Sequence, residues 1–277
     1  MKILENKKKL DGFLVNIREK GHKIGLIPTM GGIHEGHLSL LEKSKKNHCF
    51  SLVTIFVNPT QFNEYKDFKL YPQNRDLDID LLKQKKCDAL YFPQIVELYP
   101  DEIKSQKSIF DYRNILCDKF RPGHFDGVTT VVKSLFDIVK PNHVFFGEKD
   151  FQQLKLIRKI IEKNKLPIII HPCNSVRMSN GMSFSSRYTN LIPSQEKILD
   201  KAASKILNSI LELKKRIDVK ILKNLKEELN KINIERIDYL EIRDEINLLP
   251  TSKNKKARLF LAFYVGEIRI IDNFILY

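Results

Sequence analysis

Apolar residues in the first two thirds of the chain follow two alternating patterns. Short continuous apolar runs, typical of parallel strands buried on both faces, alternate with segments in which apolar residues recur at helical spacing. The runs predict strands at residues 23–27, 50–57, 89–92, 144–146 and 168–171. The helical segments lie at residues 3–20, from about 34, at 76–86, at 125–139 and around 152–156. This alternation predicts an α/β domain with a doubly wound parallel sheet of Rossmann-like type.

The pattern changes further along the chain. Residues 177–190 are polar and rich in serine, without a clear period, which is typical of a loop or a domain junction. Two lysine-rich helices and three segments that alternate like antiparallel strands follow, at residues 193–217, 219–231, 238–243, 257–265 and 268–273. We therefore expect a first domain over residues 1–180 and a smaller α+β domain over residues 181–277.

Residues 24–41, with the sequence IGLIPTMGGIHEGHLSLL, join a predicted strand to a predicted helix through a glycine-containing loop. His34 and His37 are three residues apart at the start of the helix and should face the same way, with Gly36 leaving open space between them. Free backbone N–H groups and the positive end of a helix dipole favour an anion at such a place. The stretch therefore predicts a site for a phosphate group beside two imidazoles.

The same features have a simpler interpretation. A strand, a glycine turn and a helix occur in many α/β domains as an ordinary crossover, and a histidine near a helix start is more often a capping or packing residue than a catalyst. The loop matches neither the GxxxxGK[ST] nor the GxGxxG pattern. The complete string TMGGIHEGH at residues 29–37 is much more specific than either histidine alone.

Polar side chains follow two other predicted strands. Gln61 comes after the second strand, and Lys149, Asp150 and Gln153 come after the fourth. Ligands of open α/β sheets bind at the carboxyl ends of strands, and a glutamine amide can both donate and accept, which suits a substrate with hydroxyl and carboxylate groups. Taken singly, the glutamines would more often be surface residues, and Lys149 with Asp150 a surface ion pair.

Composition narrows the class of protein. A chain of 277 residues that is 42% hydrophobic can bury an ordinary core. It has neither an apolar block of signal-peptide length nor a run of roughly 18 apolar residues, so we expect no membrane association and a cytoplasmic location. The four cysteines are scattered without a CxxC pair, which argues against a zinc site or a disulfide framework.

The net charge of +14 could indicate a nucleic-acid-binding protein, but its distribution weakens that interpretation. The chain has 36 lysines against 12 arginines, spread along its length. Base readout and phosphate forks favour arginine, and base stacking favours exposed aromatic residues. We therefore expect a lysine-rich solvated surface that attracts anionic small molecules, and no nucleic-acid partner.

Residues 28–37, PTMGGIHEGH, resemble the HxGH signature of the nucleotidyltransferase superfamily and, over their full length, the pantoate:beta-alanine ligase (pantothenate synthetase) family. Similar stretches continue from about residue 24 to the C-terminus: VNPTQF, RPGHFDGVTTVVKSLF, GEKDFQQL, FSSR, DYLEIR and RIIDN. The resemblance implies an ATP-dependent condensation of pantoate with beta-alanine through a pantoyl adenylate, with release of pyrophosphate and AMP. It also implies Mg2+, a homodimer and a C-terminal domain that closes over the active site.

The resemblance implies a role for individual residues. His37 is implied as a proton donor, with His34, Lys149 and Arg187 around the transferring group. Gln61 is implied to bind pantoate and beta-alanine, and Gln153 to bind pantoate. The residues implied to contact ATP are Met30, Gly31, Gly32, Ile33, His34, Glu35, Gly36, His37, Gly147, Glu148, Lys149, Asp150, Val176, Phe184, Ser185, Ser186 and Arg187.

The chain departs from the family pattern near these residues. Gln73 stands where the family usually has arginine, and Tyr188 stands where it usually has asparagine. The family also has an acidic pair after the arginine, where this chain continues from Arg177 with Met178. These departures put loop dynamics and nucleotide affinity in question rather than the reaction. The resemblance leaves the protein ligands of Mg2+ unassigned, with Asp78 as one candidate, and His124 is expected only to border the site.

Two other functions stay open. A nucleotidyltransferase acting on a phosphorylated acceptor would want additional arginines near Gln61 and Gln153. A basic nucleic-acid-binding protein would bind nonspecific nucleic acid in a salt-sensitive way, and binding that is absent at physiological salt would exclude it.

Overall fold

The computed structural model describes residues 1–105, 111–234, 236–252 and 256–277. The chain forms two compact units, Met1–Ser175 and Val176–Tyr277. The division falls slightly before residue 180, which the sequence predicted as the boundary. The reason is local, because the backbone N–H of Phe184 donates to the carbonyl of Val176 and so folds the intervening loop with the second unit.

The first unit is built on a parallel sheet of six strands. In chain order the strands are β1 (Lys2–Leu4), β2 (Ile24–Thr29), β3 (Phe50–Ile55), β4 (Ala89–Tyr91), β5 (His143–Gly147) and β6 (Ile169–Cys173). Their spatial order is β1-β4-β3-β2-β5-β6, and every pair is parallel. The predicted parallel α/β architecture is therefore confirmed.

Helices connect these strands. They are α1 (Lys7–Glu19), α2 (Glu35–Lys46), α3 (Tyr65–Lys69), α4 (Arg75–Gln84), α5 (Ile95–Leu98), α6 (Leu116–Phe120), α7 (His124–Val139) and α8 (Phe151–Lys163). Short 3-10 turns at Pro59–Gln61 and Glu148–Asp150 follow β3 and β5. Within the described part of the chain, no helix has the length and apolar character needed to cross a membrane.

The predicted helix over residues 3–20 was partly wrong. Residues Lys2–Leu4 form the edge strand β1, paired with β4, and the helix begins only at Lys7. Asn6 caps it by accepting a hydrogen bond from the backbone of Lys9 at 2.9 Å. A three-residue strand is too short to show a period of its own, so its residues were absorbed into the neighbouring helical pattern.

Close packing holds α2 against the centre of the sheet. Gly25 in β2 lies so near the helix that a Cβ atom there would be 2.6 Å from Ser44 Oγ and 2.8 Å from Cys49 Cβ. Ile27 and Phe145, on the neighbouring strands β2 and β5, are fully buried in the cluster that α2 joins. The helix α2 is therefore packed closely on β2 and its neighbouring strands.

The second unit combines two helices with an antiparallel sheet, as predicted. Its elements are α9 (Pro193–Lys215), α10 (Val219–Asn230), β7 (Ile237–Asp244), β8 (Ala257–Val265) and β9 (Ile268–Ile275). The strands pair in the order β7-β8-β9. Ile206 and Leu213 of α9 are fully buried with Leu259 and Phe263 of β8 in one apolar cluster. The helices therefore cover one face of the sheet.

Candidate active site

The strand order places the glycine loop at the switch point of the first sheet. β3 and β4 lie on one side of β2 in the sheet, and β5 and β6 lie on the other. β2 and β5 are hydrogen-bonded neighbours, with Gly25 opposite His143 and Leu26 opposite Val144. The loops that follow these two strands therefore leave the same edge of the sheet side by side, where open α/β sheets bind their ligands.

The glycine loop between β2 and α2 is held by a carboxylate from outside it. Asp78, a buried residue of α4, accepts the backbone N–H of Gly32 at 2.9 Å and that of Ile33 at 2.7 Å. Gly31 has φ +85°, in the left-handed region that favours glycine, and a Cβ atom on it would lie 3.0 Å from the carboxylate of Asp78. The loop is thus shaped before any ligand arrives.

The expectation of free backbone N–H groups in this loop needs correction. The amides of Gly32 and Ile33 are engaged by Asp78, and the amide of Gly36 donates to His34 Nδ1 at 3.1 Å. The amide of His37 is already in the first turn of the helix and bonds to the carbonyl of His34. Side chains at the start of the helix, rather than these amides, are left to contact an anion.

The two histidines form a stacked pair at the start of α2. Their ring centroids are 4.0 Å apart, and the ring planes differ by 26°. His34 is the N-cap residue, and because its Nδ1 accepts the Gly36 amide, the proton of the neutral ring must be on Nε2. Nδ1 of His37 is buried and has no hydrogen-bond partner among the described residues. The pair therefore both caps the helix and carries an N–H donor at Nε2 of His34.

Both imidazoles are held in the neutral form. Burial, the neighbouring His37 ring and the charge of Lys149 lower the pKa of His34 to about 2. Burial and the charge of Lys149 lower the pKa of His37 to about 4. The charge of Lys149 therefore reaches both rings, which places it in the same site.

Lys149 owes this position to the way β5 ends. The strand stops at Gly147, and the 3-10 turn Glu148–Asp150 leads directly into α8. Gly147 has an extended conformation and open space around it, since a Cβ atom there would meet nothing within 4 Å. The turn thus presents an ammonium group beside the two histidines at the mouth of the switch point.

Gln61 lies at the end of the neighbouring strand in a network of internal hydrogen bonds. It is 8% exposed, its Nε2 donates to Met30 Sδ at 2.7 Å, and its Oε1 accepts from Asn58 Nδ2 at 3.3 Å. Asn58 is 1% exposed and also bonds Tyr99 and the carbonyl of Gly127. The side chain of Gln61 is therefore attached to the glycine loop through Met30, and buried Asn58 holds its amide oxygen.

His124 supports Gln61 from the other side. It is the first residue of α7, and its Nδ1 donates to the backbone carbonyl of Gln61 at 2.8 Å. Arg121 donates to the same carbonyl and to His124 Nε2, which must therefore accept. A Cβ atom on Gly127 would lie 2.5 Å from the carbonyl of Thr60, so only glycine lets α7 approach this closely. Both ring nitrogens of His124 are engaged, which fits a bordering residue rather than a base.

The adjacent residues Gln152 and Gln153 of α8 have different environments. Gln152 is buried and holds the preceding segment by accepting the amide of Cys117 and donating to the carbonyls of Tyr112 and Ile115. Gln153 is partly exposed, and its side chain makes no hydrogen bond within the described part of the chain. Of the two amides, only that of Gln153 is left for a substrate.

In the second unit, a tight loop brings Val176 and Phe184 together. The amide of Phe184 donates to the carbonyl of Val176 at 3.1 Å, and Arg177 pairs with Ser183 in an antiparallel bridge. The turn between them closes at Gly181, which has φ +86°. The two predicted ATP contacts, eight residues apart in the sequence, are therefore neighbours at the base of one loop, which we call the hairpin loop (residues 176–184).

A fully buried carboxylate anchors the hairpin loop to β9. Asp272 accepts the backbone amide of Ser183 at 2.8 Å and its hydroxyl at 2.7 Å, and it forms an ion pair of 3.0 Å with Arg177. The side chain of Asp272 is 0% exposed. The guanidinium of Arg177 also bonds to the carbonyls of Gly181 and Asn273, so it is committed to the fold of this unit.

Ser185, Ser186 and Arg187 continue directly from the hairpin loop into the 3-10 turn Ser186–Asn190. Ser186 is buried, whereas the side chains of Ser185 and Arg187 are partly exposed. Tyr188, where the family usually has asparagine, packs on the apolar cluster of this unit. Its hydroxyl is buried without a hydrogen-bond partner among the described residues.

Sequence reasoning missed the residues that shape these loops. Asp78 was considered only as a metal ligand, and Asp272 was noticed only within the RIIDN string. No local pattern connects either carboxylate to its loop, because each pairing spans more than forty residues of chain. The one available signal for Asp78 was an acidic side chain on the apolar face of a helix, where ionised groups are uncommon.

The parallel sheet and the histidine-bearing loop at its switch point are typical of nucleotide-binding α/β proteins, and the loop resembles the HxGH nucleotidyltransferase signature. The comparisons with known proteins are more specific. The family model of pantoate-beta-alanine ligase matches residues 2–275. The chain belongs to this family.

Individual relatives match over nearly the whole chain. The pantothenate synthetase of Sulfurihydrogenibium sp. (strain YO3AOP1) is 37% identical and that of Aquifex aeolicus 38%, covering 99% and 96% of this chain and 99% and 95% of the relatives. The crystal structure of the Thermus thermophilus pantothenate synthetase has a TM-score of 0.91 at 31% identity, with full coverage of both chains. The Francisella tularensis ligase, complexed with beta-gamma ATP and beta-alanine, has a TM-score of 0.86 at 35% identity and covers 100% and 98%.

Proposed function

We propose that the protein is a pantothenate synthetase that condenses pantoate with beta-alanine at the expense of ATP. The observation that carries the proposal is the cluster of His34, His37 and Lys149 at the switch point of the sheet. Family membership and the ATP and beta-alanine complex of the Francisella tularensis ligase support it.

The reaction has two steps. A carboxylate oxygen of pantoate attacks the α-phosphorus of ATP, the bond from this phosphorus to the bridging oxygen breaks, and pyrophosphate leaves with the electron pair. The amine of beta-alanine then attacks the carbonyl carbon of the pantoyl adenylate, AMP leaves, and the nitrogen loses a proton. The residues of the chain supply position and charge, and neither step needs a covalent bond to the protein.

The histidines act in the first step as neutral hydrogen-bond donors. With pKa values of about 2 and about 4, His34 and His37 carry no charge at neutral pH. His34 presents an N–H at Nε2, and Lys149 supplies the positive charge beside it. This division of roles differs from the proton donation that the family resemblance implies for His37, and it rests on the lowered pKa of the ring and the nearby charge of Lys149.

The substrates are bound by the residues that the resemblance implies. Gln61 and Gln153 hold pantoate, and Gln61 also contacts beta-alanine. The glycine loop, the turn Gly147–Asp150, Val176 and the segment Phe184–Arg187 contact ATP. Arg187 binds the triphosphate, as the resemblance implies. The guanidinium of Arg177 is engaged by Asp272 and two carbonyls.

Mg2+ would accompany ATP rather than occupy a cage built by the protein. Within the described residues, no group of three or more histidine, cysteine, aspartate or glutamate side chains is arranged to hold a metal ion. Both oxygens of Asp78 already accept backbone amides. The residues therefore do not fit a protein-held ion, and no step above is routed through one. A homodimer is a further proposal from the family resemblance, and a cytoplasmic location is a further proposal from the apolar pattern of the sequence.

The test is pyrophosphate release from ATP with D-pantoate alone, followed by AMP and pantothenate formation after addition of beta-alanine. Pantoate-dependent pyrophosphate and beta-alanine-dependent product are expected. A folded protein that binds ATP but releases no pyrophosphate would contradict the proposed acceptor.

In the same assay, His37→Ala should lower the rate of pyrophosphate release by about 10²–10³-fold, because it removes a donor from the transferring group. The matched control is His22→Ala, since His22 is exposed and precedes the amino end of β2, at the opposite edge of the sheet. Circular dichroism should show both variants folded. Near-normal turnover of His37→Ala would contradict its role.

A further inference from the structure

We infer that Asp78 is a positioning residue for the ATP-dependent step, which holds the glycine loop in its working shape before ATP binds. The inference rests on the proposed function for its kinetic consequence only. Its structural basis is the pair of hydrogen bonds from Gly32 and Ile33 to one carboxylate, at 2.9 and 2.7 Å.

The geometry is that of a bidentate clamp. Each carboxylate oxygen accepts one of two successive amides, so the clamp fixes the orientation of the peptide between Gly32 and Ile33. Gly31 contributes by having no side chain, because a Cβ atom would lie 3.0 Å from Asp78 Oδ2 and 3.2 Å from Ile55 Cγ2. The close approach and the φ of +85° together favour glycine at this position.

The clamp acts directly on the histidines. Ile33 immediately precedes the N-cap residue His34, so the clamped peptide sets the direction in which the chain enters α2. The direction of entry determines where the stacked rings of His34 and His37 face. A loop free to rearrange would have to find this arrangement in each catalytic cycle, and small displacements of positioning groups are costly.

The environment of Asp78 makes its charge unfavourable by itself. Its side chain is 2% exposed, and among the described residues it accepts only the two backbone amides and forms no ion pair. Burial raises the pKa of Asp78, and the hydrogen bonds from Ile33 and Gly32 offset this only in part. A buried carboxylate without a cation is costly to the fold, which favours a functional reason for its presence.

The first experiment needs no substrate. Amide hydrogen exchange of Gly32 and Ile33 is compared by NMR in the ligand-free wild type, in Asp78→Asn and in Asp88→Asn. Asp88 is the matched control, since it also accepts a backbone amide, that of Ser51 at 2.8 Å, but at the amino end of β3. Exchange at the two loop amides should be about tenfold faster or more in Asp78→Asn only. Unchanged exchange would overturn the inference.

The second experiment measures kcat and KM for ATP and for pantoate in the pyrophosphate-forming step. In Asp78→Asn, kcat/KM for ATP should fall about tenfold or more, whereas KM for pantoate should stay near the wild-type value. Asp88→Asn should change neither. Faster exchange with unchanged ATP kinetics would overturn the positioning role. A rise in KM for pantoate as large as the fall in kcat/KM for ATP would overturn it as well.

The outcomes separate this inference from the proposed function. If the wild type releases no pyrophosphate with pantoate, the proposed function fails, and calorimetric ATP affinity of wild type against Asp78→Asn then decides the inference. If Asp78→Asn does not fold, Asp78→Glu keeps the charge but alters both hydrogen-bond distances, and the same loss is expected. Failure of both variants to fold would make Asp78 a residue of stability and would overturn the inference.

Discussion

The glycine loop of the first unit and the hairpin loop of the second use the same device with different electrostatics. Each is held by a buried carboxylate from a distant element, Asp78 for the first and Asp272 for the second. Asp272 is paired with the guanidinium of Arg177, whereas Asp78 accepts only amides among the described residues. A carboxylate compensated by a cation suits a structural anchor, and one left with amides alone suits a loop whose shape serves chemistry.

The difference also shows which groups the nearby cations of each unit act on. Arg177 neutralises Asp272 and is therefore committed to the fold of the second unit. In the first unit, no cation is paired with Asp78 among the described residues, and the charge of Lys149 acts on the two histidines instead. Experiments that remove an anchor, change the pH or alter a neighbouring side chain should therefore affect the two loops differently.

The largest effect is expected from Asp272→Ala. It leaves the Arg177 guanidinium and the Ser183 amide and hydroxyl without their buried acceptor, so the free energy of unfolding of the second unit should fall by about 3–5 kcal/mol. Denaturant unfolding followed through hydrogen exchange of β8 and β9 measures it. Asp200→Ala is the control, because Asp200 is exposed and bonds Asn180 of the same loop. Equal losses in the two variants would remove the distinction between anchor and surface contact.

An intermediate effect per pH unit is expected on acidification, and the two histidines at the end of the glycine loop should contribute to it. The pKa values of His34 and His37 are lowered from 6.5 to about 2 and about 4. Between pH 6.5 and 4 the unfolded chain therefore binds more protons at these residues than the folded protein, so stability falls as the pH falls. Each histidine contributes at most about 1.4 kcal/mol per pH unit. His37→Gln should reduce this slope, and an unchanged slope would show that the ring is not held neutral.

The smallest effect is expected from Tyr188→Phe, beside the hairpin loop. Removing a buried hydroxyl that lacks a partner should raise the free energy of unfolding by about 1 kcal/mol, since the ring keeps its apolar contacts. Thermal unfolding of the second unit measures the change. Tyr188→Leu, which removes the hydroxyl but also shrinks the side chain, is the control and should not be stabilising. A loss of stability in Tyr188→Phe would mean that the hydroxyl is satisfied.

Local patterns were enough to predict most of the fold. The apolar runs of the parallel strands and the alternation in β7–β9 reflect burial on two faces or one, which is a property of each segment by itself. The string from Met30 to His37 and the turn after β5 likewise carry their signal within a few residues. Ile3 and Leu4 of β1 were misassigned to the first helix, because their strand exists only through pairing with β4.

The sequence by itself therefore determined the fold class, the family and the candidate residues, since each depends on short-range periodicity or on a contiguous motif. Only the tertiary structure decided which of these residues are committed to the fold. It showed that the loop amides are taken by Asp78, that Arg177 is committed to Asp272, and that His34 is a neutral cap. The pairings of Asp78 and Asp272 join residues far apart in the chain, and a hydrogen bond across that separation leaves no local pattern from which it could be predicted.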